Sequence, residues 1–223
     1  KTAYVHQLAH AGKYYFLFRP RRFGKSLFVD TLRCAFEGRR ELFKGLYLEN
    51  AWDFEQVYPV LSFSLGRGRV TSLEELNIRL FSLLDDQAQR HALQCTYELV
   101  ADRFAELIRK LQEKAGRRLV VLIDEYDKPI LDNLENTPRA EEMRDGLKNF
   151  YSVLKDSDAY IKFCFITGVS KFSRVSIFSD LNNLEDISLN PDVGALCGYT
   201  QAELEDVFAD RLSGIDLDEL SSW

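Results

Sequence analysis

The sequence predicts an α/β fold in which helices cover both faces of a parallel β-sheet. Two observations lead to this prediction. Short apolar runs of strand length alternate along the chain with longer amphipathic segments of helical period. In addition, the run Leu119–Ile123 is apolar at every position, which is typical of a strand buried on both faces of a parallel sheet. Parallel strands joined by helical crossovers form a three-layer α/β/α sandwich.

Each apolar run of strand length marks one predicted strand, and each stretch of helical period marks one predicted helix. The expected strands are Tyr14–Phe18, Pro59–Leu65, Leu119–Ile123, Ile161–Ile166 and a short fifth at Ile187–Leu189. The expected helices are Ser26–Phe36, one capped by Thr71 or Ser72, one ended by Gly116, one over Ala140–Leu154, and one from Thr200 to about Leu212 that opens with a capping box.

Composition limits the class of protein. With 223 residues, of which 46% are hydrophobic, the chain is long enough to bury one full core. The formal net charge of −6 is not typical of a dedicated nucleic-acid-binding protein, although a local basic patch is compatible with it. No apolar run reaches the roughly 20 residues that span a bilayer, and no signal-peptide pattern opens the chain. We therefore expect a cytoplasmic protein without a membrane partner.

The strongest local motif is Arg19–Ser26, which follows a predicted strand and opens a predicted helix. This is the context of a P-loop, whose backbone N–H groups bind phosphate at a helix N-terminus. Gly24 would let the backbone approach the phosphates, Lys25 would bridge the β- and γ-phosphates, and Ser26 would bind Mg²⁺. The usual motif G-x-x-x-x-G-K-[ST] has glycine where this chain has Arg19, so the motif is degenerate. The predicted nucleotide-binding residues are Arg19, Pro20, Arg21, Arg22, Phe23, Gly24, Lys25, Ser26 and Leu27.

The four cations of this loop have alternative explanations. No acidic residue follows them before Asp30, and a helix N-terminus already favours anions, so a polyphosphate ligand explains them well. The phosphates of a nucleic acid, or a solvated basic loop without a ligand, remain alternatives.

A second signal lies at the end of the apolar run, where Ile123 is followed by Asp124 and Glu125. Ligands of open α/β sheets bind at the carboxyl ends of the strands, so this acid pair should face the phosphate loop. Asp124 would hold Mg²⁺, and Glu125 would accept a proton from the water that attacks the γ-phosphate. The alternative is a loop that begins with exposed acids. We expect the next acid, Asp127, to be exposed.

The strand Ile161–Ile166 ends at Thr167 and Gly168. The Thr167 hydroxyl would either bond the attacking water or the γ-phosphate, or cap its own turn; both roles remain open. For Arg174 we expect a surface salt bridge.

The segments RPRRFGKSL, LVVLIDEYDKPILDN and FITGVSKFSRVSIFSDLNNLEDISL resemble the bacterial AAA-ATPase-like family. The resemblance covers roughly Tyr15 to Tyr199 and implies a P-loop NTPase sheet of the additional-strand class, with order 5-1-4-3-2 and the sensor strand between the phosphate-loop strand and the acid strand. It implies that Lys25 and Ser26 bind phosphate and metal, that Asp124 and Glu125 form the second motif, and that Thr167 is the sensor. An arginine at the first glycine position is itself usual in this family.

The resemblance implies a domain organisation and partners. Residues 1–198 would form the ATPase core, and residues 199–223 would begin a C-terminal helical lid, apparently truncated. ATP and Mg²⁺ are the expected ligands, a homo-oligomer is compatible with the family, and a PD-(D/E)XK nuclease domain often follows in full-length members. An arginine supplied by a neighbouring subunit completes the site in many ATPases of this class.

Three hypotheses for function remain at this stage. The first is an enzyme that hydrolyses ATP to drive a conformational change. The second is a sensory or regulatory module that binds nucleotide with negligible hydrolysis, and the third is a nucleic-acid-interacting domain that uses the basic loop. GTP is a weaker candidate than ATP because no N-K-x-D element for reading guanine occurs in the chain.

Overall fold

A computed structural model describes residues 1–171, 177–179, 181–212 and 215. The described part of the chain contains one five-stranded sheet in which every pair of neighbouring strands is parallel. The strands are β1 (Tyr14–Phe18), β2 (Val60–Ser64), β3 (Leu119–Asp124), β4 (Ile161–Gly168) and β5 (Glu185–Asp186). Their order is β2-β3-β4-β1-β5, which reads 5-1-4-3-2 from the other edge. Strand β4, which carries the predicted sensor Thr167, therefore lies between β1 and β3, in agreement with the predicted order.

The helices lie in the connections between these strands and after them. The α-helices are α1 (Thr2–Ala11), α2 (Lys25–Phe36), α3 (Leu48–Ala51), α4 (Leu73–Arg90), α5 (Val100–Ala115), α6 (Lys128–Leu131), α7 (Thr137–Asp156), α8 (Gln201–Val207) and α9 (Ala209–Leu212). Short 3₁₀ helices cover Arg40–Phe43, Asp158–Tyr160 and Pro191–Val193.

The sheet separates two hydrophobic layers, as the predicted α/β/α sandwich requires. Along β3, Val121 and Ile123 pack in one layer, whereas Val120 and Leu122 pack in the other. Successive side chains of a strand point to opposite faces, so this division shows that apolar groups cover both faces of the sheet. All six residues of β3 are buried, which explains why its sequence is a continuous apolar run up to Asp124.

The predicted helix ends agree with the structure. The Ser72 hydroxyl accepts a hydrogen bond from the Glu75 N–H at 3.2 Å, and Thr200 forms the capping box that opens α8. Gly116 ends α5 with a φ of 65°, a left-handed conformation that glycine adopts at little cost.

Two local predictions differ from the structure. The fifth strand is Glu185–Asp186 rather than Ile187–Leu189. It consists of two residues that pair with Tyr15 and Phe16 of β1, so its position depends on a partner distant in sequence. Helix α1, whose face buries Val5, Leu8 and Ala9, was not among the predicted helices.

A buried carboxylate stabilises the segment before α5. Glu106 accepts hydrogen bonds from the backbone N–H groups of Thr96, at 2.7 Å, and Tyr97, at 3.1 Å, and it pairs with Lys110 at 2.7 Å. Burial alone would raise the pKa of Glu106, but the bonds from these three residues lower the pKa to about 2.

Within the described residues, no helix combines the length and the apolar character that a membrane span requires.

Candidate functional site

The predicted site residues lie at one edge of the sheet. The strands β1, β3 and β4 run parallel, and the register pairs Phe18 with Gly168 and Ile123 with Ile166. The segments that follow these strands therefore emerge side by side. Lys25 and Asp124 are at the same edge of the molecule, as the proposed site requires.

The phosphate loop joins β1 to α2. Gly24 is the N-cap of α2, with a φ of 87°, and its carbonyl accepts the first helical hydrogen bond from the Phe28 N–H at 3.0 Å. Arg22 also has a left-handed φ, of 67°, although it is not glycine. Such a conformation costs on the order of 1 kcal/mol outside glycine and is often found at functional sites. The loop side chains Pro20, Arg21, Arg22, Phe23, Ser26 and Leu27 are exposed.

Lys25 lies beneath the loop and is only 6% exposed. Its ammonium group donates hydrogen bonds to the carbonyl oxygens of Arg19 and Pro20, both at 2.9 Å. Neither acceptor carries a charge. Among the described residues no carboxylate forms an ion pair with Lys25, and the buried Asp127 carboxylate acts on its charge only without direct contact.

The acid pair ends β3. Asp124 is 6% exposed, and its carboxylate accepts a hydrogen bond from the Glu125 N–H at 3.0 Å. Glu125 has a φ of 55°, and its half-buried carboxylate lies directly against Gly66 in the loop after β2. A Cβ atom on Gly66 would stand 1.4 Å from Glu125 Oε2, so Gly66 provides the space for this carboxylate.

Left-handed conformations are concentrated at these two motifs. In the described part of the chain, the non-glycine residues with positive φ are Arg22, Ala92 and Glu125. Two of the three belong to the phosphate loop and the acid pair. The backbone is therefore strained where the sequence predicted the site.

Asp127 is buried, contrary to the prediction that it would be exposed. It is 1% exposed, and its carboxylate accepts hydrogen bonds from the N–H groups of Val169 at 3.1 Å and Ser170 at 2.6 Å. The neighbouring Tyr126 donates from its hydroxyl to the Ser170 carbonyl at 2.9 Å. Because the turn at Glu125 directs the chain back toward β4, Tyr126 and Asp127 hold the segment that follows β4.

Electrostatics link Asp127 to the phosphate loop. Burial raises the pKa of the Asp127 carboxyl, while hydrogen bonds from backbone N–H groups and the positive charge of Lys25 lower it. Lys25 and Asp124 also both act on the buried thiol of Cys197: burial raises its pKa, Lys25 lowers it and Asp124 raises it. Lys25 therefore lies close enough to Asp127 for their charges to interact.

Thr167 lies at the end of β4 with 0% exposure. Its hydroxyl oxygen has no hydrogen-bond partner among the described residues, so it does not cap its own turn there. A buried hydroxyl without a partner is costly and marks a place where a ligand or water belongs. Arg174, also considered from the sequence, lies outside the described residues.

Two cavities flank the phosphate loop. One, of about 350 Å³, is polar and acidic; its lining includes Arg21, Glu125 and Asp127. The other, of about 470 Å³, is lined largely by apolar groups and extends from Gly24 to the N-terminus of the chain. The residues that line the second cavity are Lys1, Thr2, Arg22, Phe23, Gly24, Leu27, Phe28, Thr31, Leu196, Cys197, Gly198 and Tyr199.

The segment Leu196–Tyr199 was not predicted as part of the site. The Gly198 N–H donates to the Phe23 carbonyl at 3.0 Å, which holds this segment against the phosphate loop. No local motif signals this contact, because it joins residues far apart in sequence. The same holds for Gly66 beside Glu125.

Comparison with known proteins agrees with these features. A protein from Azotobacter chroococcum mcd 1, described as "Uncharacterized protein in vnfD 5'region", is 50% identical over 223 residues. The match covers all of this chain but 43% of that relative, so the chain spans less than half of the relative's length. No solved structure matches the chain. The AAA-ATPase-like family, described as predicted AAA-ATPase, matches residues 1–178, and the chain belongs to this family.

Proposed function

We propose that this chain is a P-loop domain that binds ATP and hydrolyses it with Mg²⁺ to drive a conformational change. The observation that carries the proposal is the buried ammonium of Lys25, whose acceptors are two uncharged carbonyls. A buried charge is stable when an opposite charge compensates it. A polyphosphate on the loop N–H groups would supply that charge and take the place of the two carbonyls.

The two cavities suggest the direction of the nucleotide. The apolar cavity beside Gly24 suits a nucleobase, with Phe23 and Leu27 as its apolar contacts. The acidic cavity on the other side of the loop contains Glu125 and suits the terminal phosphate with the water that attacks it. ATP would therefore extend from the first cavity, across the loop, to the second.

The donor set fits Mg²⁺. Ser26 offers an exposed hydroxyl in the first turn of α2, and Asp124 offers a carboxylate at the end of β3. Hard oxygen ligands of this kind, together with substrate phosphates, are those that Mg²⁺ prefers. When bound, the ion neutralises negative charge on the phosphates.

The remaining groups suit hydrolysis. Glu125 would accept a proton from water as the water oxygen bonds to the γ-phosphorus and the bond to the β–γ bridging oxygen breaks. The Thr167 hydroxyl, buried and without a partner among the described residues, would bond that water or a terminal phosphate oxygen. Asp127 would hold the segment after Thr167 in place through the N–H groups of Val169 and Ser170.

The predicted domain limits and location belong to the same proposal. Residues 1–198 would form the ATPase core, and the capping box at Thr200 would start the predicted helical lid of residues 199–223, of which 213, 214 and 216–223 lie outside the described residues. ATP and Mg²⁺ are abundant in the cytoplasm, where we expect the protein to act.

Binding is tested by titrating ATP and GTP, with and without Mg²⁺, into the wild type and Lys25→Ala. We expect ATP to bind more tightly than GTP and Lys25→Ala to weaken ATP binding at least about tenfold, since it removes a charge-assisted contact worth about 1.5–3 kcal/mol. Unchanged affinity in Lys25→Ala would overturn the proposed site.

Turnover is tested with Glu125→Gln, which keeps the size of the side chain and removes the base. We expect ATP binding to survive and hydrolysis to fall by about 10²–10⁴-fold, the usual contribution of a general base. A wild type that binds ATP but is no faster than Glu125→Gln would favour the sensory module. Salt-dependent binding of a polynucleotide that ATP does not displace would favour the nucleic-acid-interacting domain.

A further inference from the structure

Two adjacent arginines of the phosphate loop face different cavities. Arg21 lines the acidic cavity with Glu125 and Asp127, whereas Arg22 lines the apolar cavity with Phe23 and Leu27. The left-handed backbone at Arg22, with a φ of 67°, turns the chain between them. The two adjacent arginines therefore line the two cavities that the proposed nucleotide would occupy.

The Arg21 guanidinium is not neutralised by its neighbours. Within the described residues it makes no hydrogen bond and no ion pair, although acids line the same cavity. Two of those acids already have partners. Asp127 accepts hydrogen bonds from the backbone N–H groups after β4, and Asp132 forms an ion pair with Lys128 at 2.5 Å. Among the residues that the structure describes, Arg21 is thus an exposed cation without a bonded partner, in a cavity that Glu125 also lines.

We propose that Arg21 is a catalytic residue that contacts the terminal phosphate of ATP from within the same chain. The inference rests on the proposed function, because it assigns the γ-phosphate to the cavity that Arg21 shares with Glu125. A water activated by Glu125 must attack the γ-phosphorus, so the γ-phosphate has to lie in this cavity. The guanidinium fork matches two oxygens of a phosphate, and its charge is permanent.

In the chemical step, Arg21 acts as negative charge develops on the phosphate oxygens in the transition state. The water oxygen forms a bond to the γ-phosphorus, the bond from that phosphorus to the β–γ bridging oxygen breaks, and ADP leaves with the electron pair. The water proton passes to Glu125 and then to solvent. Negative charge accumulates on the terminal phosphate oxygens and the leaving oxygen, and Arg21 stabilises it as an arginine finger does.

A consequence is that the site needs no arginine from a second copy of the chain. Many related ATPases obtain this group from a neighbouring subunit. Here the phosphate loop itself supplies it, so hydrolysis per chain should stay constant when the protein is diluted.

The test compares kcat for ATP hydrolysis with the Kd for ATP in Arg21→Ala and Arg21→Lys. We expect Arg21→Ala to lower kcat by about 10²–10³-fold, as the loss of one transition-state donor does, with a change in Kd of about tenfold or less. Arg21→Lys should retain part of the activity. Added guanidinium ion, below denaturing concentration, should partly restore Arg21→Ala but not Glu125→Gln.

Two further variants give controls. Arg139→Ala removes an exposed arginine in the first turn of α7, away from both cavities, and should leave kcat unchanged. Arg22→Ala should affect the affinity for ATP more than kcat, because Arg22 lines the apolar cavity.

The outcomes separate the two proposals. If the wild type hydrolyses ATP and Arg21→Ala keeps its kcat within about threefold, a change below about 0.7 kcal/mol, the inference fails and the proposed function stands. If activity per chain falls steeply on dilution while a dimer or larger assembly dissociates, the cation comes from another subunit and the inference also fails. A wild type no faster than Glu125→Gln overturns the proposed function, and this inference with it.

Discussion

Replacing Asp127 tests whether this carboxylate holds the segment that follows β4. The side chain is 1% exposed and accepts hydrogen bonds from Val169 at 3.1 Å and from Ser170 at 2.6 Å, both through Oδ2. Asp127→Ala removes the acceptor from both N–H groups. A buried donor that loses its partner costs about 1–3 kcal/mol.

The stability that Asp127→Ala loses should be smaller than the sum of the costs of two unpaired N–H groups. Burial raises the pKa of Asp127, which means that the ionised carboxylate is itself unfavourable at this place, and its removal offsets part of the cost. Val169 and Ser170 are half-buried, so water can reach their N–H groups in part. We therefore expect Asp127→Ala to lower the free energy of unfolding by about 2–3 kcal/mol. Asp127→Asn keeps one oxygen acceptor in place of Oδ2 and should cost less than about half as much.

The assay is urea unfolding followed by circular dichroism, with the m-value as a check that the denatured state is unchanged. Native-state hydrogen exchange gives a local readout, since the amides of Val169 and Ser170 should exchange faster in Asp127→Ala. Asp145→Ala is the matched control, because Asp145 is a 68%-exposed carboxylate whose ion pair with Arg144 should contribute less than about 0.5 kcal/mol. If Asp127→Ala is as stable as the wild type, or Asp127→Asn is as costly as Asp127→Ala, the hydrogen bonds to this oxygen do not hold the segment.

Three further predictions concern steric and ionic features. In Gly66→Ala the new Cβ would stand 1.4 Å from Glu125 Oε2 and would displace this carboxylate, which is the far end of a flexible side chain. We therefore expect the free energy of unfolding to change by less than about 1 kcal/mol. The kcat for ATP hydrolysis, measured by phosphate release, should fall about tenfold or more because the base is misplaced. In Gly168→Ala the Cβ would stand 2.6 Å from the buried ring of Tyr126, which has no room to move, so urea unfolding should show a loss of about 1–3 kcal/mol. Because the folded-state pKa of Glu106 is lowered from 4.5 to about 2, its ionised form stabilises the fold above pH 4.5 and this stability is lost as the pH falls toward 2. The stability difference between the wild type and Glu106→Gln should therefore shrink over that range, and a constant difference would contradict the assignment.

The sheet was predictable because its strands carry their own signal. Strands β1, β3 and β4 are nearly continuous apolar runs, and they are buried along almost their whole length. Burial on both faces of a sheet requires such runs, so the residues specify the strands without reference to their partners. Their order followed from the family resemblance. Helix ends such as Ser72 and Gly116 were predictable for a similar reason, since capping is local chemistry.

Other features depend on contacts between distant parts of the chain. From the sequence alone, an acid in a loop such as Asp127 is expected to be exposed. In the structure, the left-handed turn at Glu125 buries it against the segment after β4. Strand β5 has two residues, Glu185 and Asp186, whose sequence does not resemble a strand; their pairing with β1 alone defines it. Arg21 and Arg22 are adjacent in the sequence but line different cavities, which composition and spacing do not predict.

Arg19 stands where the usual phosphate-loop motif has its first glycine, and the structure explains why the loop tolerates it. Glycine is required where φ is positive or where a side chain would collide. Arg19 is not among the described residues with positive φ; in this loop those are Arg22, at 67°, and Gly24, at 87°. The Arg19 side chain leaves the loop and donates to the backbone carbonyls of Phe18 and Ser188, which ties the loop to the chain after β5. The backbone conformation of the loop is therefore compatible with an arginine at its first position. A search that demanded the first glycine would miss this loop, although glycine is not required there by the backbone.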